Sequence, residues 1–221
     1  MLVEHGHDVS GTTAQRPTNG EIGQRFFDTT LGVMLVWNGT AWVTTDGQVG
    51  VAPANGAVAG TGNTVSEQVG LVHKTVITVA NTVTMTDATT AGCHGSQKIY
   101  DFPAGNILIL GATTDLSVTA GAGGIGDTAS VVASIGSVAV ATDNATLTST
   151  EANIVPSTAA TLTGGVGAFD GESTGVVVLD GTATAVDAIL NLAVPDAGSS
   201  ASDTIVVAGT VTLVWVNLGD N

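Results

Sequence analysis

The sequence predicts an all-β protein, an antiparallel β-sandwich of jelly-roll-like arrangement preceded by a small N-terminal β-hairpin module. Three observations predict it. Thr, Val, Ala and Gly dominate the chain, so helix signals are thin. From residue 71 onward, β-branched runs are punctuated by Gly, Asp, Asn and Pro at intervals near the roughly 8 to 12 residues expected of a sandwich or barrel. Near the start, Asn38-Gly39 stands between two apolar runs, a hairpin signal because both residues tolerate positive φ.

The hairpin lies in "GTTAQRPTNGEIGQRFFDTTLGVMLVWNGTAWVTTDG". A two-residue turn at Asn38-Gly39 pairs Trp37 with Thr40, Val36 with Ala41 and Leu35 with Trp42. One face then carries Val33, Leu35, Trp37 and Trp42, and the other Met34, Val36, Ala41 and Val43. Both faces are apolar, and a lone hairpin is marginal in water. The module is therefore expected to pack against the larger domain, against copies of itself or against another protein. Residues 1–48 hold two of the three Trp and two of the four Phe, whereas 49–70 is a Gly/Ala/Asn stretch without an aromatic. That shift predicts a module over 1–48, a linker over 49–70 and a β-sandwich domain over 71–221.

Within that domain, strands are expected near 74–85, 106–110, 115–119, 130–141, 174–180, 186–194 and 204–217. The alternation in "TVITVANTVTMT" shifts after Val76, which predicts a bulge or short turn around Ala80 and Asn81. In the last strand Val211, Leu213 and Trp215 share one face and Thr212, Val214 and Val216 the other, so it reads as central and buried on both sides. Only "TSTEANIVP" (148–156) has a helix start, at Ser149 or Thr150, and Pro156 stops it after one or two turns.

Four basic residues, Arg16, Arg25, Lys74 and Lys98, face nineteen carboxylates, for a net charge of −15. Binding nucleic acid requires cations that neutralise phosphates, so DNA, RNA and anionic membranes are excluded as partners. Mutual repulsion at this charge makes association between copies easier as salt screens it. Charged residues are only 10% of the chain, well below the roughly 25% of an average protein. Such a surface favours oligomers. The start, "MLVEHGHDVS", lacks the basic and apolar regions of a secretory signal, and no apolar run approaches the roughly 18 residues of a membrane span. A single cysteine, Cys93, rules out a disulfide within the chain.

Three motifs invite a catalytic or ligand-binding reading. Gly121, Gly123 and Gly126 have the G-x-G-x-x-G spacing of a dinucleotide loop, with Asp143 about twenty residues on. The segment that follows them is Val-rich and a poor helix, so the glycines are expected to form a loop between strands. "GESTG" (171–175) places Ser173 where a nucleophile elbow has its serine. A strand, not a helix, is expected after it, and no histidine follows, so it reads as a surface turn. His5, His7 and Asp8, the pair Cys93-His94, and Asp101, Asp180 and Asp187 are too few or too scattered for a zinc or calcium site. No cofactor, no metal and no enzymatic activity are expected.

The stretch from Thr13 to Val43 resembles short modules of the form T-A-x-R-P-T…G-x-x-(F/Y)-F-D-T-T-L-G…W-N-G-T-x-W-V in head-fibre, tail-fibre and decoration proteins of tailed bacteriophages. Val33-Met34 stands where those modules usually have Lys-Pro. The segments "DFPAGNILILGATTDL", "ATDNATLTSTEANIVPSTAATL" and "VVLDGTATAVDAILNLAVPDA" are similar to virion proteins of short-tailed marine phages. This resemblance implies a β-rich decoration or cement protein on the outer surface of the phage head, a homotrimer bound to the major capsid protein. Phe26, Phe27, Trp37 and Trp42 are the candidate anchors of its oligomer or capsid interface, since exposed aromatics are the usual hot spots. The competing expectation is a fibre adhesin that binds host glycans, with Tyr100, Phe102, Phe169 and Trp215 as the only aromatics of the C-terminal domain, widely spaced in sequence.

Overall fold

A computed structural model describes residues 9–44, 56–68, 71–89, 92–141, 147–195 and 203–219. The chain divides into two compact units, Met1–Ala54 and Asn55–Asn221. The first contains β1 (Val9–Gly11), β2 (Arg25–Asp28), β3 (Val33–Trp37) and β4 (Trp42–Thr44), in one sheet of that order, with a 3-10 turn over Thr13–Gln15. β1 pairs with β2 in parallel and the others are antiparallel.

The hairpin register differs from the expected one. Trp37 pairs with Trp42, Val36 with Val43 and Leu35 with Thr44, so the loop spans four residues, Asn38 to Ala41. The cause is Asn38 itself. Its Oδ1 accepts the backbone N–H of Thr40 at 2.9 Å and of Ala41 at 2.8 Å, and the Thr40 hydroxyl at 2.9 Å. A side chain that caps two amides favours a wider Asx turn over the two-residue turn.

The second unit contains β5 (Ala57–Val58), β6 (Thr64–Gln68), β7 (His73–Thr84), β8 (Thr86–Thr89), β9 (Gly92–Asp101), β10 (Gly105–Ala120), β11 (Val132–Gly136), β12 (Val155–Ala159), β13 (Val166–Phe169), β14 (Val177–Gly181), β15 (Asp187–Val194) and β16 (Thr204–Asn217). The first sheet has the order β13-β10-β16-β7-β6, with β14 also on β10; the second has β12-β11-β15-β9-β5, with β8 also on β9. The chain crosses from β7 to β9, back to β10, over to β11 and β12, back to β13 and β14, over to β15 and back to β16. Its pairs are nested: β7 with β16, β9 with β15, β10 with β13 and β14, β11 with β12. That is the jelly-roll arrangement, and the all-β sandwich expectation holds.

Several boundaries move. Residues 57–58 and 64–68 are strands of the second unit, so the expected linker over 49–70 is in part sandwich. The strands expected at 106–110 and 115–119 are one strand, β10, because the irregularity at Gly111 is absorbed as a bulge between Ile109 and Gly111. No bulge occurs at Ala80 and Asn81. Alternation in β7 runs unbroken through buried His73, Thr75, Ile77, Val79, Asn81 and Val83; a polar Asn81 at an inward position disguised it. β9 was not expected at all. It contains two glycines and a polar run, and Gly95 is needed because a Cβ there would meet the Met85 sulfur, the Thr84 carbonyl and Val83 at 2.9 Å.

Between the sheets lies one apolar core that includes Ile77, Ile107, Leu116, Ile135, Leu190 and Leu213. β16 is interior to its sheet, as expected. Its inner face is fully buried, but Thr212, Val214 and Val216 on its outer face are only half-buried. Ser149–Glu151 forms a 3-10 turn against β11, where a Cβ on Gly136 would collide with the Glu151 backbone.

Trp215 is the largest fully buried side chain. It stacks on His73 with centroids 4.0 Å apart, meets Phe102 edge-on at 5.3 Å, and donates its indole N–H to Thr75 Oγ1 at 2.8 Å. Trp215→Ala is expected to cost about 3–5 kcal/mol through lost burial and cavity formation, read as a lower denaturation midpoint by far-ultraviolet circular dichroism.

Candidate functional site

The four aromatic candidates divide by exposure. Phe26, Trp37 and Trp42 are 1%, 9% and 6% exposed, whereas Phe27 is 39% exposed. The three buried rings form the module's own core with Leu35. Trp42 meets Trp37 at 5.6 Å and Phe26 at 5.8 Å between centroids, and its indole N–H reaches the Pro17 carbonyl at 2.7 Å. The expectation of exposed anchors is therefore corrected for Phe26, Trp37 and Trp42. Alternation on β2 turns Phe26 inward and Phe27 outward, and Gly20 packs so close to Trp37 that a Cβ there would come within 3.0 Å of its side chain.

The polar residues of this stretch serve the same end. Asp28 is fully buried, and its carboxylate accepts the Thr13 hydroxyl at 2.9 Å and the N–H groups of Thr30 and Leu31 at 3.0 and 3.1 Å, with the Arg16 guanidinium 3.8 Å away. The T-A-x-R and F-D-T-T-L pieces of the motif thus meet around one carboxylate.

The glycine motif also turns on a carboxylate, one from the chain itself. Among Gly121, Gly123 and Gly126, the first two wrap the start of β16. Gly124 N–H donates to Asp203 Oδ1 at 2.8 Å, Ala122 N–H to Thr204 Oγ1 at 2.7 Å, and Gly121 N–H to the Thr204 carbonyl at 2.8 Å. Gly123 has φ +120°, and a Cβ there would collide with Asp203 Oδ1. The motif is a loop between β10 and β11, as expected; Asp143 lies outside the described residues. Ser173 takes no nucleophilic position. Its hydroxyl accepts the Ala112 N–H at 2.9 Å and its own N–H donates to the Ala112 carbonyl at 2.9 Å, so it fills the bulge in β10.

His5, His7 and Asp8 also lie outside the described residues. Cys93 sits on a strand, β9, and is fully buried. Among Asp101, Asp180 and Asp187, the first and last are brought together by the β9–β15 register, with Lys98 at 2.5 Å from Asp101 and 3.0 Å from Asp187. The hydrogen bond shared with Asp187, then Lys98, holds the Asp101 carboxyl below its ordinary range, while burial, and then Asp101, pushes Asp187 up. Lys98 is held protonated, first by its bond to Asp101. Asp180 lies apart, accepting the Thr182 hydroxyl at 2.7 Å. Among the described residues, no group of three or more His, Cys, Asp or Glu could hold a metal ion.

One constellation escaped the sequence. Glu67 on β6 accepts the Tyr100 hydroxyl at 2.7 Å and lies 2.7 Å from His73 Nδ1. Tyr100 belongs to the second sheet and His73 to the first, so one carboxylate ties both sheets at one end of the sandwich. Tyr100, Phe102, Trp215 and His73 gather there within stacking distance, although they are widely spaced in sequence. The signal available was the scarcity of aromatics, which concentrates them where burial is deepest. Chemically the chain phenol–carboxylate–imidazole is a relay without a mouth: His73 and Tyr100 are buried to 1% and 0%. It acts as a buttress. The outer face of the first sheet, by contrast, is broad and open, with a depression lined by Asp115, Ser117, Thr161, Thr163, Gly167 and Asp170 among others.

No family model, no curated protein and no solved structure matches the chain.

Trp42→Ala is expected to open the module's core, at a cost of about 3–5 kcal/mol, while the sandwich keeps its own unfolding transition. Limited proteolysis should then cut within 9–44 and leave 56–219 intact. Tyr100 is the chain's single tyrosine, so tyrosinate absorbance reports it alone. Burial, then the bond to Glu67, raises its pKa. A phenol whose proton is held more tightly when folded contributes stability that is complete below its unfolded value of about 10 and is lost as pH rises above it. Tyrosinate should therefore appear together with unfolding in an alkaline titration. Tyr100→Phe should lower stability at neutral pH by about 1–3 kcal/mol and flatten its decline at high pH.

Proposed function

We propose that this chain is a structural component of a tailed-bacteriophage particle that decorates the outer surface of the head, binds the major capsid protein as an oligomer and stabilises the shell. The observation that carries this reading is how the polar groups are used. The carboxylates of Asp28, Asp203 and Glu67 and the hydroxyl of Ser173 all close contacts within the fold. What the sandwich offers outward is a wide β-surface of Thr, Val, Ala and Ser. Such a scaffold suits an adhesive brick. The resemblance of Thr13–Val43 to phage virion modules supplies the setting, and the net charge of −15 keeps the chain off packaged DNA.

Mechanistically, a decorator that binds only the intact, expanded shell raises the cost of opening it by linkage. Several weak contacts per particle gain through effective concentration. Of the four aromatic anchors, Phe27 carries the exposed face and is the candidate contact; Phe26, Trp37 and Trp42 hold it in place. The adhesin reading has less support, because Tyr100, Phe102, Phe169 and Trp215 are all buried and none is offered for stacking on a sugar ring.

The test is co-sedimentation of the purified protein with expanded phage heads that lack it. Saturable binding with a raised shell melting temperature is expected, and Phe27→Ala should weaken it about tenfold or more. Absence of binding, or density on the tail but not the head in electron-microscopy maps of intact particles, overturns the reading.

A further inference from the structure

Side chains alternate along a strand, so pairing fixes which residues stand on the outer face of the first sheet. On β16, Val207, Val211, Leu213 and Trp215 are buried inward, which leaves Val206, Ala208, Thr210, Thr212, Val214 and Val216 outward. Register then sets Thr78, Val76 and Lys74 of β7 beside Thr210, Thr212 and Val214, and Thr113 and Asp115 of β10 beside Thr212 and Thr210. β6 adds Thr64, Ser66 and Gln68. Across β6, β7 and β16 the one charged side chain on this face is Lys74. The opposite flank is acidic, with exposed Asp115, Asp170, Glu172 and Asp180.

We propose that this face binds a second copy of the chain, as a two-fold pair with the two first sheets face to face. Size supports it. Strands of 4, 5, 16, 14, 12 and 5 residues (β13, β14, β10, β16, β7 and β6), at about 3.3 Å per residue and about 4.8 Å between strands, give roughly 900 Å². A stable interface needs about 800 Å² per partner. Composition supports it too: Val178, Leu108 and Val216 lie side by side across β14, β10 and β16, and Leu110, Val178 and Val206 are exposed. Burying Val, Ala and Thr strips no ionised group of its water, and between two chains at −15 each a face with few carboxylates brings the least additional repulsion.

The charges supply the geometry. Lys74 stands opposite Val214 and Asp115 opposite Thr210. About Thr212 the two are therefore at equal and opposite offsets, one strand to either side and two residues up or down. A two-fold axis lying between the sheets over Thr212, perpendicular to the Lys74–Asp115 diagonal, places Lys74 of each copy against Asp115 of the other. That is the self-complementarity an isologous interface demands. It calls for a pair, in place of the trimer the phage resemblance implies.

Sedimentation equilibrium of the full chain at about 0.15 M salt tests this, and is read independently of any shell binding. The expected species has twice the 21.7 kDa chain mass. Lys74→Glu and Asp115→Lys should each weaken the pair about tenfold or more, with unchanged circular dichroism melting. The double variant, K74E with D115K, should restore it. Thr212→Glu, at the axis, should give a monomer. A wild-type monomer or trimer, a dimer indifferent to both single charge changes, or failure of the swap to restore pairing overturns the proposal.

Discussion

Exclusion of water from the layer between the two sheets governs the rest of this structure. A group that enters that layer loses its hydration and must find a partner inside it. Several polar residues that enter arrive with partners: Trp215 with Thr75, Tyr100 with Glu67, and Thr114 with the Phe169 carbonyl and the Gly171 N–H, whereas His73 Nε2 and Asn81 Nδ2 are buried without one. The outer face of the second sheet repeats the rule on a smaller scale: Asn191, buried on β15 on the side opposite Leu190 and Leu192, accepts the Val140 N–H and donates to the carbonyls of Val138 and Glu151, pinning the segment after β11 and the 3-10 turn together. These bonds are strong because the layer is dry, and the layer is continuous because the bonds leave few orphans.

The parts of this architecture legible in sequence were those written in apolar periodicity. The long alternation of β16, its interior place, the all-β class and the loop character of the glycine motif could all be read from side-chain pattern and turn residues. What could not be read depended on long-range partners. Asn81 looks like a turn residue until β16 is seen to run past it in register. Gly95 looks like a strand breaker until the Met85 corner that needs the space is in place. Asn38-Gly39 was located correctly, but the width of its loop was set by the Asn38 side chain, which the dipeptide rule does not weigh. Phe26, Trp37 and Trp42 are buried for a related reason: a module of so few residues uses its large rings for its own core, while Phe27 stays exposed.

The division of labour between inner and outer surfaces follows from the same chemistry. Three features that resemble parts of enzymes, a glycine-rich loop, a serine between glycines and a histidine–glutamate–tyrosine chain, each complete a contact on which the fold rests. With those groups closing contacts inside, the outer face of the first sheet is left with threonines, valines and alanines on β7 and β16. The acidic flank beside a threonine-rich field whose one charge is Lys74 gives the first sheet a polarity that a uniformly charged surface lacks, and polarity of this kind sets orientation more than strength.

The nested strand order has a consequence for how the protein is made. β7 and β16 are neighbours, yet the Thr75–Trp215 bond joins residues 140 apart. During synthesis β7 and β10 leave the ribosome long before the strand that must lie between them, and each presents an unpaired edge until then. The first sheet closes only after residue 217 has emerged, so folding of the sandwich is late, all at once and slow in the manner of high-contact-order β proteins. In that interval the outward threonines of β7 and β10, Thr78, Thr82 and Thr113 among them, are what the waiting strands offer to water, a service to the nascent chain before it is a property of the finished surface.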